Sequence, residues 1–264
     1  MADLYFVTFG NQRFTDRRWA LAEEIRSSGR FKNIFVYGDN DLSSFDRKLT
    51  GAGGGWWWWK PIIQSFAFSQ MNEGDILLYL DAGCYFNKLG VKTFDHYLSL
   101  LENNSGFLGF TTGDHDTTER TYTKLDVFEY LDCNSHQFTD TKQIASGLFL
   151  LRKNNLSTKL MELFVAASEN IHLFDDSPST QSESNRFVSH KNDQSVFSLL
   201  VKKVYQLHKI DLLVLDHLYI DGIKYNHSDE VEIVRNALKN KQYNDEALQS
   251  LKFPIITARI DDNL

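Results

Sequence analysis

The chain has 264 residues, 42% of them hydrophobic and 24% charged, with a formal net charge of −7. This is an ordinary globular composition, long enough for a sizeable core, and the acidic balance argues against a nucleic-acid-binding face. Two cysteines exclude a disulfide scaffold and predict free thiols in a reducing compartment. The opening MADLYFVTFG lacks the cationic-then-apolar pattern of a signal peptide. No stretch approaches the roughly 20 apolar residues of a membrane span, so a cytoplasmic protein is expected.

LYFVTFG (Leu4–Gly10) is a short apolar run closed by glycine and predicts a buried strand. TDRRWALAEEIRSSG predicts a helix capped at Thr15 or Asp16 and stopped by Gly29. NIFVYGD (Asn33–Asp39) is a second strand. WKPIIQSFAFSQM predicts a helix with Pro61 in its first turn, and DILLYLD predicts a third strand. Strand, helix, strand, helix, strand implies βαβ units and a mainly parallel sheet.

The second half is less regular. VKTFDHYLSLLEN predicts a helix, GFLGFTT a strand, TKLDVFEYLD a short helix and IASGLFLLRK a strand. STKLMELFVAASEN predicts an amphipathic helix capped at Ser157. DDSPSTQSESNR (Asp175–Arg186) has no periodicity and reads as a mobile loop. NDQSVFSLLVKKV is a helix, IDLLVLD a late strand, DEVEIVRNALKNK a helix, and FPIITARI a closing apolar piece. The expected architecture is α/β, one domain, with a sheet that becomes mixed after its third strand and helices flanking it.

The third strand runs straight to Asp81, with Ala82 and Gly83 after it. Ligands of open α/β sheets bind beyond the carboxyl ends of the strands, so Asp81 is placed on a rigid element yet released from the core. Gly83 gives a bulky group room to approach. The pair suits a sugar ring, a ribose hydroxyl or a cation. An Asp that merely caps the next turn is the plain alternative.

LLYLDAG resembles the strand carrying the Asp-x-Asp motif of GT-A type, nucleotide-sugar-dependent glycosyltransferases. Here the second Asp is Gly83. The resemblance implies a donor contact and a metal-binding role for Asp81. Mn²⁺ or Mg²⁺ would then complete its shell with diphosphate, water and a distant side chain such as a late His. ASGLFLLRKN is similar to the strand after the acceptor region, with Ser146 and Gly147 lining the cleft. SHKNDQSVFSLL resembles the His-x-x-Asp-Gln-Ser helix start of several families of this fold, many of them retaining. It brings in His190 toward the acceptor, Asp193 either onto sugar hydroxyls or near the anomeric carbon, and Gln194 toward the donor. A helix N-terminus also favours an Asp for electrostatic reasons alone.

GAGGGWWWWKP (Gly51–Pro61) is similar to a segment of bacterial polysaccharide glycosyltransferases. In a helix, successive residues point about 100° apart, so four tryptophans cannot all face a core. At least two are expected in the core and at least one toward the cleft or a membrane-like surface. Trp59 and Lys60 are assigned to the donor, Lys60 toward phosphate. An exposed Lys60, its stem over an indole, is the alternative. The run is neither a Walker loop nor a dinucleotide fingerprint.

By the same resemblance, Thr8 and the residues to Arg13 receive base and ribose. Arg17 or Arg18 pairs with diphosphate, and Asp39 is placed near the nucleotide by topology. Asp114, His115, Asp116 and Glu119 lie where acceptor sugars bind and are candidates to position or deprotonate a hydroxyl. They lack the paired His or Cys of a firm metal site. Residues 1–90 are expected to form the nucleotide-sugar half, and 91–264 the acceptor half and tail. The expected partners are a UDP-sugar donor and a glycan or lipid-linked acceptor, at the inner face of the membrane in one version, with surface polysaccharide or lipopolysaccharide as product. Two other readings stay open: a nucleotidyltransferase, for which FGNQRF is a poor phosphate loop, and a non-catalytic carbohydrate- or nucleotide-sugar-binding protein, which the missing second carboxylate favours.

Overall fold

The computed structural model describes residues 2–45, 47, 51–111, 118–207, 213–215, 219–220, 223–224, 232–234, 236 and 253–257. The element order begins β1 (Leu4–Phe9), α1 (Thr15–Ser27), β2 (Phe31–Tyr37), α2 (Lys60–Ser69), β3 (Ile76–Leu80), β4 (Tyr85–Phe86), α3 (Val91–Glu102) and β5 (Phe107–Phe110). Three short helices follow: α4 (Glu119–Tyr122), α5 (Leu125–Tyr130) and α6 (His136–Thr139). Then come β6 (Leu148–Arg152), α7 (Asn155–Ser168), α8 (Asn192–Leu207), β7 (Leu213–Leu215), the small hairpin β8 (Tyr219–Ile220) and β9 (Ile223–Lys224), and β10 (Ile255–Ile256).

The main sheet runs β2-β1-β3-β6-β5-β7. β1 is parallel to β2 and β3, and β5 to β7, while β6 is antiparallel to both β3 and β5. The expected mixed α/β sheet flanked by helices is therefore observed. One consequence positions the site. The carboxyl ends of β1, β2, β3, β5 and β7 share one edge with the amino end of β6, because only β6 is reversed.

Strand alternation sorts the core. Tyr5, Val7, Leu77, Tyr79, Phe149 and Leu151 pack with α2, α7 and α8 on one face. Leu4, Phe6, Ile76, Leu78, Leu148 and Leu150 pack with α1 and α3 on the other. Burial on both faces explains why these strands read as unbroken apolar runs. Cys84 and Cys133 are both buried and unpaired. No helix among the described residues is long and apolar enough to cross a membrane.

Three local expectations are corrected. α1 starts at Thr15 without a side-chain cap. α7 is capped by Asn154, whose side chain accepts from Ser157 N, while Ser157 Oγ accepts from Asn154 N. The 175–186 loop carries no helix or strand, yet it is tied down: Thr180 N and Oγ1 donate to Asp126, Leu125 N donates to Glu183, and Lys124 Nζ donates to Asp175 and to Ser177 O. Polar composition predicted mobility, but here the polar groups bond to α5. The 229–241 helix lies mostly outside the described residues.

Candidate active site

The glycine–tryptophan run sets the start of α2. Gly53, Gly54, Gly55, Trp56 and Trp57 have φ of 60, 65, 94, 61 and 59°, a left-handed turn closed by Trp56 N donating to Ala52 O at 2.6 Å. Glycine enters this region freely, whereas each tryptophan pays roughly 1–2 kcal/mol. A Cβ on Gly53 would lie 2.1 Å from the Trp57 ring, so the turn demands glycine there. Because the turn is not α-helical, the tryptophans need not spread around a helix. Trp58 and Trp59 are buried, and Trp56 and Trp57 pack half-buried against the same core.

This clasp delivers Lys60 inward. Its side chain is 1% exposed. The ammonium lies 2.6 Å from Asp193 Oδ2, 3.1 Å from Asp81 Oδ1 and 3.5 Å from Ser146 Oγ, and 5.4 Å from the Tyr79 ring centroid. Ser146 Oγ donates to Asp193 Oδ2 at 2.6 Å, and Tyr79 OH donates to Asp81 Oδ1 at 2.6 Å. Asp81 is at the carboxyl end of β3, Ser146 and Gly147 at the amino end of β6, and Asp193 in the first turn of α8. Four segments far apart in sequence thus converge on one buried cation, at the shared edge of the sheet.

Two carboxylates and one ammonium leave this cluster one negative charge in excess. Burial alone would pull the Lys60 ammonium down, but the two carboxylates outweigh it and its pKa lies above the ordinary lysine value. Burial pushes Asp193 up, Lys60 opposes this, and the neighbouring charge of Asp81 adds to the rise. Asp193 is 7% exposed and Asp81 42%, so Asp81 is the member that faces outward.

The backbone frames Asp81. Its N–H donates to Gly147 O at 2.9 Å, and Cys84 N closes the turn through Ala82 and Gly83 onto Asp81 O at 2.9 Å. A Cβ on Gly147 would fall 2.5 Å from Asp81 Oδ2, so a glycine there leaves that oxygen its space.

Five expected contact residues are placed elsewhere. Thr8 is fully buried within β1. Trp59 stacks on Phe9 at 3.8 Å and donates through Nε1 to Gly53 O at 2.9 Å. Arg17 makes a bidentate pair with Glu24, 2.8 Å at each nitrogen, and donates to Cys84 O at 2.7 Å, bracing the turn from beneath. Glu119 is fully buried, paired with Lys202 at 2.5 Å and bonded by Thr123 and Gln143. His190 donates from Nε2 to Leu173 O at 2.9 Å and accepts from Lys124 N at 3.4 Å. The Thr8 hydroxyl finds no partner among the described residues, whereas in the other four cases a side chain read as a ligand contact is consumed by the fold. Arg18 likewise donates to the carbonyls of Gly10 and Tyr37.

Asp39 is partly exposed and accepts from Gln12 N at 3.0 Å, which joins the ends of β1 and β2. Gln194 donates to Gln143 Oε1 at 2.7 Å. Asp114, His115 and Asp116 lie outside the described residues. Tyr79 is part of the site although sequence reasoning passed over it; its place two residues before Asp81 on one strand puts both on the same face.

A divalent cation needs several hard oxygens. Among the described residues no three His, Cys, Asp or Glu side chains converge on one point. Asp81 Oδ1 and Asp193 Oδ2 are already held by Lys60, and position 83 has no side chain. The described residues therefore do not make a metal site by themselves.

No protein family and no curated protein sequence matches the chain. Among solved structures it is similar to a glycosyltransferase involved in glycosylation of the major capsid of PBCV-1, at 15% identity over 84% of this chain and 86% of that one, with a TM-score of 0.44. It is similar to mouse xyloside xylosyltransferase 1 in its apo form, at 9% identity over 81% and 84%, with a TM-score of 0.39. It is also similar to the galactosyltransferase LgtC in complex with donor and acceptor sugar analogs, at 11% identity over 75% and 70%, with a TM-score of 0.35. At such distances the likeness says nothing of substrate or activity.

Proposed function

We propose that the protein is a glycosyltransferase that moves a sugar from a nucleoside diphosphate to a hydroxyl acceptor. The observation that carries this reading is the Lys60–Asp81–Asp193 cluster at the carboxyl edge of the sheet. A carboxylate with one oxygen free of side-chain donors among the described residues, backed by a buried ammonium, accepts hydrogen bonds from a polyol. The rigid strand and helix that hold it fix the bound ring in orientation.

Residues 1–90 supply Lys60 and Asp81 and form the donor half. Residues 91–264 supply Ser146, Gly147 and Asp193 and form the acceptor half with the tail. Asp81 and Asp193 receive the donor sugar. Gly147, Ala82 and Gly83 shape the wall beside it, and Asp39 and Gln194 stand toward the donor. Asp114 and His115 are kept for the acceptor side.

Retention at the anomeric carbon is favoured, because both carboxylates in the cluster are held by Lys60 and neither is a free base. A UDP-sugar is the preferred donor, and a glycan or lipid-linked hydroxyl of surface polysaccharide the preferred acceptor. Two unpaired thiols suit a reducing, cytoplasmic setting. Any Mn²⁺ or Mg²⁺ would take further ligands from the diphosphate.

Binding and hydrolysis of uridine and guanosine diphosphate sugars test this. Calorimetry should show a sugar nucleotide binding in the micromolar range, and slow donor hydrolysis should follow. Asp81→Asn should lower that hydrolysis at least about 100-fold, the scale of a lost charged contact in a transition state. Binding of sugar nucleotides without any turnover would instead favour the carbohydrate-binding reading, which the full engagement of Lys60 and Asp193 with each other supports.

A further inference from the structure

The buried hydroxyl of Tyr79 has no use in packing. Its ring stacks on Phe149 at 5.4 Å, and Phe149 in turn stacks on Phe197 at 4.8 Å and on Phe107 at 6.3 Å. Phenylalanine serves at positions 107, 149 and 197 of that stack, while Tyr205, packed on Phe107 at 5.8 Å, carries a buried hydroxyl with no partner among the described residues. A phenol hydroxyl costs free energy to bury unless it is bonded. Here its partner is Asp81 Oδ1, at 2.6 Å.

That same oxygen accepts from Lys60 at 3.1 Å. Two donors from different directions fix the carboxylate's rotation about χ2. With Oδ1 so occupied, Oδ2 is turned toward Gly147, where the missing Cβ leaves it room. We infer that Tyr79 is a positioning residue for the proposed reaction: its hydroxyl and Lys60 hold Oδ1 so that Oδ2 is presented to a hydroxyl of the donor sugar.

The phenol stays a donor at any working pH. Burial pushes its pKa well above the ordinary tyrosine value, and the charge of Asp81 pushes it further. The inference rests on the reading of the cluster as a sugar site, and it adds that the sugar, not the nucleotide, feels Tyr79.

Tyr79→Phe keeps the ring and removes only the hydroxyl. Tyr205→Phe is the matched control, because its buried hydroxyl finds no partner among the described residues. The probe is the tightest-binding sugar nucleotide of the panel above, against its parent nucleoside diphosphate, by calorimetry. Tyr79→Phe should weaken the sugar nucleotide about 10-fold, the size of one lost hydrogen bond to a charged group, and leave the nucleoside diphosphate unchanged. Tyr205→Phe should change neither. Equal weakening of both ligands, or a loss of thermal stability larger than in the control with affinity unchanged, would reduce Tyr79 to a structural residue. Wild-type affinity for both ligands in Tyr79→Phe would also overturn the inference. If the wild-type protein binds nucleoside diphosphates but gains nothing from the sugar, the sugar-site reading itself falls, a result distinct from any of these.

Discussion

Lys60 is the residue on which the site turns. A single ammonium, almost wholly removed from water, holds two carboxylates that would otherwise repel each other. Taking charges out of water is costly, and only close pairing offsets it; breaking such a group by removing one partner costs about 3–5 kcal/mol. Lys60→Met should therefore lower unfolding stability by about that amount in urea titration. The loss falls mainly on Asp193, since Asp81 faces solvent. The double substitution Lys60→Met with Asp193→Leu should recover most of it, because a buried ion pair replaced whole by apolar groups is close to neutral. A single variant as stable as the wild type would show that Asp193 is already neutral in the folded state.

At the scale of elements, the site is a junction of strand ends. β3 and β6 run antiparallel, so the residue after one and the residue before the other sit side by side, and Asp81 meets Gly147 through the backbone. Gly147→Ala would place a Cβ 2.5 Å from Asp81 Oδ2. The carboxylate would swing off Tyr79 and Lys60 while the ladder stayed intact. The expected outcome is a melting temperature within a few degrees of wild type and loss of sugar-nucleotide binding by calorimetry; unchanged affinity would show that the carboxylate has slack. Much of this level was legible in the sequence. The apolar runs gave β1, β3 and β6, and the strand ending at Asp81 marked the sheet edge. What was not legible was pairing. Lys60 read as a surface or phosphate lysine, because no local pattern announces that residues 60, 81, 146 and 193 meet. His190, Glu119 and Arg17 carry the same chemistry as ligand contacts, and only burial shows that carbonyls and counter-charges consume them. The glycine–tryptophan run defeated helical-wheel reasoning because its backbone is left-handed at five successive positions.

For the whole molecule, the segment from Ile171 to Lys191 is fastened to α4 and α5 before it enters α8. His190 is its inner fastening. Burial lowers its pKa from an ordinary 6.5 to about 3, against the opposing pull of the Leu173 carbonyl, so the ring is neutral in the folded protein. Asp126 and Asp175 carry the same sign of shift: burial would raise each, but bonds from His172 and Thr180 to Asp126, and from Ser177 and Lys124 to Asp175, outweigh it. A group whose folded pKa is depressed contributes its stability above the unfolded pKa and loses it as pH falls toward the folded one. The aspartates therefore matter only below about pH 4, the ordinary carboxylate range. His190 acts earlier, because the unfolded chain takes up a proton near pH 6.5 that the folded chain refuses. The limiting slope is about 1.4 kcal/mol per pH unit, so acidification from pH 7 to pH 5 should cost about 2 kcal/mol. Urea midpoints at pH 7, 6 and 5 would read this directly. His190→Gln should be less stable at pH 7, having lost a fitted ring, yet flatter across the series. If wild type and variant fell in parallel between pH 7 and 5, the acid sensitivity would have to come from another group, and the ring at 190 would not be the proton-excluding fastening described here.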